Sequence, residues 1–205
     1  MEFVSDVVEK GGVLVYPLIL IFVWSLYIIV IKAAGLRRAR VIKHDAIEEI
    51  EKLLIKRRIP EATAYCKQHS VPMTRVLLAA ILNYEKDESE LKDVLEEAGR
   101  QEIPVIRRHL TALGTIASVA PLLGLLGTVL GMISVFTTLS QDAAVNAGML
   151  AGGISEALVT TALGMLVAVP ALTSYNYFIS RVQNLIIEME RVSLHMVSVL
   201  KRLAA

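Results

Sequence analysis

The sequence predicts an all-α membrane protein with three transmembrane helices, two of them long enough to run on into a cytoplasmic helical bundle. Three observations carry this. Of the 205 residues, 55% are hydrophobic, and the mean hydropathy of +0.58 is well above that of soluble chains. Three runs nearly free of charge, Val13 to Ile31, Leu110 to Gln141 and Ala143 to Ser180, satisfy the roughly 20 apolar residues that a bilayer crossing requires. Between the first and second runs the chain is charged but keeps the periodicity of amphipathic helices.

Residues 1–12, "MEFVSDVVEKGG", form an acidic segment before the first span, placed at 13–31. A secretory signal would want a basic start and a small-residue cleavage site, so this span reads as a retained anchor. Its bulky residues lie nearly all round, which predicts a lipid-facing helix. Residues 32–109 form the charged region. "LRRARVIK" is a basic stretch suited to anionic headgroups, and "DAIEEIEKLLIKRR" puts Ile47, Ile50 and Leu54 on one helical face. Pro60 and Pro72 sit where proline starts helices, in "PEATAYCKQH" and "VPMTRVLLAAILNYE", the latter with Val76, Leu77, Ala80, Ile81 and Tyr84 as its buried side. From Asp87 or Ser89 as cap, helical periodicity runs through Pro104 with no strong break, so one helix is expected to continue from this region into the second span at 110–139. A turn at 140–148 leads to the third span at 149–180. Its helix continues through 181–205, where Leu185, Ile186, Met189, Val192, Met196 and Val199 keep helical spacing.

Of the 21 Lys and Arg residues only Lys10 precedes the first span and none lies in the 140–148 turn. The positive-inside rule then puts the N-terminus and this turn outside and the C-terminus in the cytoplasm. The net charge of +1 is no nucleic-acid footprint. Cys66, the single cysteine, reads as a buried, inert thiol; His44, His69, His109 and His195 are too scattered for metal-ligand spacing, so no metal and no cofactor are expected. There is no nucleophile elbow and no paired-carboxylate arrangement in a plausible pocket, and "GLLGTVLG" lacks the lysine of a phosphate loop, so no enzyme is predicted.

The two inner spans carry the informative chemistry. Lipid gives helices no hydrophobic reason to associate, so small residues that let backbones approach mark interfaces. Gly127 and Gly131 form a GxxxG pair with Gly124 on an adjoining face, while Thr160, Gly164 and Ala168, beside Gly153, Ala157 and Thr161, repeat the spacing. Pro121 and Pro170 are candidate kinks. Glu156 breaks the apolar rule, at a cost on the order of 2.5–3.5 kcal/mol near a bilayer centre, and so needs a polar partner or an ion path. Thr128 and Thr161 lie near the middle of their runs, at similar depth in an antiparallel hairpin. Each offers a hydroxyl that both donates and accepts. Thr160 lies only about 40° from Glu156 on an ideal helix, against about 140° for Thr161, so Thr160 is a second candidate.

"LTALGTIASVAPLLGLLGTVLGMISVF" and "GGISEALVTTALGMLVAVPALTSYNYF" resemble the two signature spans of the MotA/TolQ/ExbB proton-channel family over residues 110–178. The three-span plan resembles the ExbB/TolQ branch rather than the four-span MotA branch. The resemblance implies a homopentamer in a bacterial inner membrane, its second and third spans around a pore. It also implies two copies of a single-span ExbD/TolR-like partner with a membrane aspartate, and a TonB-like or Tol-type protein beyond. On that motif Thr128 and Thr161 are the pore threonines and Glu156 the family's glutamate, in an engine that couples proton flow to work. One charge crossing about 100 mV releases roughly 2.3 kcal/mol. The alternative is a non-conducting oligomeric scaffold packed through the same small residues.

Overall fold

A computed structural model describes residues 12–36, 38–141 and 147–204. Among the described residues the chain forms eight helices and no strand: α1 Val15–Gly35, α2 Arg38–Val41, α3 His44–Ile55, α4 Ile59–Gln68, α5 Pro72–Leu82, α6 Glu88–Arg107, α7 Leu110–Gln141 and α8 Ala147–Ala204. Of these, α1, α7 and α8 are long and apolar enough to cross a membrane. The acidic segment before Gly12 and most of the predicted 140–148 turn lie outside the described residues. The chain divides into two compact units, 1–31 with 109–177 and 32–108 with 178–205.

In the first unit α7 and α8 pack through small residues. Leu113, Ala117, Ala120 and Val135 of α7 and Ala157, Val167, Ala168 and Ala171 of α8 are buried, whereas Leu122, Leu125, Phe136, Leu158, Leu166 and Val169 are exposed, as suits a surface meeting hydrocarbon or other helices. Pro121 and Pro170 lie inside helices that remain continuous around them. The first span is less uniform than its composition predicts. Val15, Leu18, Ser25 and Ile28 form a buried stripe at helical spacing, and Ser25 is accommodated because its hydroxyl donates to the Phe22 carbonyl at 2.8 Å.

In the second unit α3, α4, α5 and α6 pack each against the next. Ile47, Ile50 and Leu54 are buried as expected, as are Val76, Leu77, Ala80 and Ile81, but α5 ends at Leu82 and Tyr84 falls beyond it, half-exposed. The residues 182–200 of α8 complete this core with Val182, Leu185, Met189, Met196 and Leu200. Two histidine–glutamate hydrogen bonds tie α3 to α8: His44 Nε2 to Glu188 at 3.1 Å and His195 Nε2 to Glu51 at 3.2 Å.

The expected continuous helix from Asp87 into the second span does not form. Asp87 is the N-cap, but α6 stops at Arg107, Arg108 is extended (φ −45°, ψ 138°) and His109 is left-handed (φ +66°) before α7 starts at Leu110. The end of α6 leaves carbonyls without helical partners. Lys32, buried at the end of α1, donates from Nζ to the Ile106 carbonyl at 3.0 Å and serves as that cap.

Candidate functional site

The polar groups of the inner spans sit on a zipper between α7 and α8. A Cβ added at Gly124 would lie 3.1 Å from both the Thr160 carbonyl oxygen and the Thr161 Cα, and one at Gly164 would lie 2.7 Å from the Ala120 carbonyl oxygen. Toward the far end of α7, a Cβ at Gly131 would lie 2.9 Å from the Gly153 carbonyl oxygen and 3.0 Å from the Ala157 Cβ. The rising numbers on one helix meet falling numbers on the other, so the pair is antiparallel. The small-residue spacing read from the sequence thus falls on the face that needs it: Gly124, Gly127, Gly131, Gly164 and Ala168 are buried and Gly153 is half-buried.

The three threonines take different places on this seam. Thr160 is buried at its centre, occupying the space that a side chain on Gly127 would fill, and its hydroxyl lies 3.0 Å from the carbonyl oxygens of Glu156 and Ala157 in its own helix. Thr161, half-buried, turns to the other flank and donates to the Gly124 carbonyl of α7 at 3.0 Å. Thr128, half-buried, donates to the Leu125 carbonyl of its own helix at 2.6 Å. Gly124 lies one turn before Thr128 on α7, so the Thr161 hydroxyl bonds to the carbonyl one turn away from Thr128. The structure therefore brings Thr160 and Thr161 onto α7, while Thr128 keeps to its own helix.

Glu156 is half-buried on the shoulder of α8 opposite Thr161, as their spacing of five residues dictates. Its carboxylate lies against Gly12, at the turn that leads into α1. A Cβ at Gly12 would overlap Oε1 and lie 2.7 Å from Cδ, and Gly12 has a left-handed φ of +61°. Sequence patterning does not single out Gly12. The "GG" before the span is a visible signal for an unusual backbone, but the residue it meets lies 144 positions away.

Outside these spans, burial pushes the Cys66 thiol up to about 11. Arg75 binds buried Glu102 side-on through Nε, at 2.6 Å, and Nη2, and that hydrogen bonding raises its pKa further. A cavity of about 530 Å³ lies between α6 and α8 in the second unit, walled by Leu95, Ile103, Ile106, Ile186 and Met189 with charged residues at its edge. No three His, Cys, Asp or Glu side chains converge on a metal-sized point among the described residues.

The sequence is similar to those of known proteins. The profile of the MotA/TolQ/ExbB proton channel family matches residues 68–191. The chain is 35% identical over 171 residues, 82% of its own length and 81% of the relative's, to a Synechocystis sp. protein named as an ExbB-like biopolymer transport protein. It is 30% identical over 92% of its length and 67% of the relative's to an ExbB homologue of Methanothermobacter thermautotrophicus. To the Tol-Pal system protein TolQ of Haemophilus influenzae it is 41% identical over 42% of its length and 37% of that protein's. The small-residue seam, the three apolar helices and these matches make the chain a member of the MotA/TolQ/ExbB proton channel family, in its ExbB/TolQ-like branch.

Proposed function

We propose that this chain is the proton-conducting motor subunit of a complex in the cytoplasmic membrane, converting the proton motive force into mechanical work on an envelope partner. In this reading α7 and α8 of five copies surround a pore, with the N-terminus outside and both the second unit and the C-terminus in the cytoplasm. Two copies of a single-span ExbD/TolR-like protein stand in the pore and supply the aspartate that carries the proton. A TonB-like or Tol-type protein receives the work. The supporting observation is the set of three polar groups, Thr128, Thr161 and Glu156, held on glycine-lined apolar helices of a proton-channel family member. A hydroxyl already bonded to a carbonyl still has lone pairs to accept from a passing donor, which suits Thr128 and Thr161 to a proton relay.

The test is proton uptake into liposomes that hold the chain together with its single-span partner. Removing one hydrogen bond from a relay raises its barrier by about 1.4 kcal/mol, so Thr128→Val, Thr161→Val and Glu156→Gln should each slow uptake about tenfold or more. Wild-type uptake in all three overturns the reading. The same bonds favour a second reading, because every one of these hydroxyls is partnered within the protomer, as in a packed scaffold. On the scaffold reading the variants change assembly in detergent and leave uptake alone.

A further inference from the structure

We propose that Gly12 is a positioning residue for the Glu156 carboxylate, so that the turn into α1 takes part in the ion path; this rests on the reading of Glu156 as an ion-path group. Two independent features of Gly12 point the same way. Its φ of +61° is a conformation that L side chains rarely adopt, and the Val15 N–H closes the turn by donating to the Gly12 carbonyl at 3.3 Å. Its Cα face is where the Glu156 carboxylate rests, since a Cβ there would overlap Oε1 and lie 2.7 Å from Cδ and 3.4 Å from Cγ.

A turn alone would account for the backbone conformation, and asparagine serves nearly as well in such turns. It would not account for the absence of a side chain on the face that meets a carboxylate. The neighbour is the far end of a flexible side chain and not a rigid backbone, so a methyl at position 12 leaves the fold standing and moves the carboxylate. The seat therefore controls where Glu156 sits on the shoulder of α8. The first span, which packs its Val15, Leu18, Ser25 and Ile28 stripe and exposes most of its other apolar side chains, gains a role beyond anchoring.

The experiment has a proximity arm and a flux arm. In a Cys66→Ala background, Gly12→Cys combined with Glu156→Cys is oxidised in membranes; a cross-link within one chain is expected. A cross-linked dimer, or no cross-link while both thiols label with maleimide, overturns the proposal. In liposomes with the single-span partner, Gly12→Ala and Gly12→Asn should both slow proton uptake about tenfold or more, as misplacing a reacting group does. Shortening the acid withdraws it from the added methyl, so Gly12→Ala with Glu156→Asp should recover flux relative to Gly12→Ala alone. Loss in Gly12→Ala with full activity in Gly12→Asn assigns the effect to backbone strain and overturns the positioning role. So does wild-type flux in both variants when Glu156→Gln has lost it. Wild-type flux in Glu156→Gln removes the ion-path reading itself, and the cross-link then reports the contact separately.

Discussion

A glycine inside a helix costs stability unless something presses against the place where its Cβ would be, and this chain holds both kinds. Gly99 in α6 has nothing within 4 Å of that place, whereas at Gly164 a Cβ would stand 2.7 Å from the Ala120 backbone oxygen, which cannot rotate away. Gly99→Ala should therefore stabilise the protein by about 0.5–1 kcal/mol. Gly164→Ala should destabilise the α7–α8 pair by about 1–3 kcal/mol through overpacking. Thermal unfolding in detergent reads both, and shifts of equal sign would contradict the seam. The spacing of Gly124, Gly127, Gly131, Gly164 and Ala168 made this seam legible in the sequence, because close helix approach in lipid has few other solutions. The contact of Gly12 with Glu156 was not legible, since it joins residues far apart in the chain with no local periodicity. Cys66 supplies a second prediction. Its thiol ionises near 11 in the folded protein against an ordinary 9.0, so at pH 8 its thiolate fraction falls about a hundredfold and maleimide labelling should slow at least as much until the protein is unfolded. Because the folded state holds this proton more tightly, the thiol's contribution to stability is intact below pH 9 and declines as pH rises from there towards 11.

Helices α3, α4 and α5 were legible from their apolar stripes and from Pro60 and Pro72, which sit in the first turns of α4 and α5. The separation of α6 from α7 was not. Neither glycine nor proline marks Arg107, Arg108 or His109, and the group that caps α6 is Lys32, 74 residues from its acceptor. Lys32→Met keeps the apolar stem and deletes the ammonium, so the end of α6 should lose about 1–3 kcal/mol of local stability. The measurement is trypsin cleavage at the exposed Arg107 and Arg108, which should accelerate; unchanged cleavage would show that the cap is dispensable. The α5–α6 contact is held by Arg75 on Glu102, whose side chain is 12% exposed, whereas Arg58 and Glu61 pair in open solvent within one turn. Arg75→Ala strands a mostly buried carboxylate and should cost about 1.5–3 kcal/mol, while Arg58→Ala should stay within about 0.5 kcal/mol. Hydrogen exchange of α5 and α6 distinguishes the two, and equal protection in both variants would refute the ranking.

At the scale of the whole molecule, the second unit is discontinuous in sequence, since 178–205 returns to pack with 32–108. Its two distant histidine–glutamate contacts share one register. His44 and Glu51 are seven apart on α3, Glu188 and Glu51's partner His195 are seven apart on α8, and each histidine meets the other helix's glutamate. Equal spacing in the same direction makes α3 and this stretch of α8 parallel, an arrangement that the heptad-like pattern of α8 allows and that no local signal specifies. The pairs are too exposed to hold the unit together, with both histidine side chains at least half in solvent, so each is worth about 0–1 kcal/mol. The burial of Val182, Leu185, Met189, Met196 and Leu200 outweighs them, at about 1.5–3 kcal/mol for each fully buried aliphatic side chain. These magnitudes order two variants. Replacing His44 and His195 together by alanine should leave the protease resistance of α3–α6 nearly intact. Removing residues 181–205 should expose the apolar faces of those helices and speed their digestion by well over the effect of the double substitution. Equal digestion rates in the two variants would mean that the helix is docked by these polar contacts and not by its core.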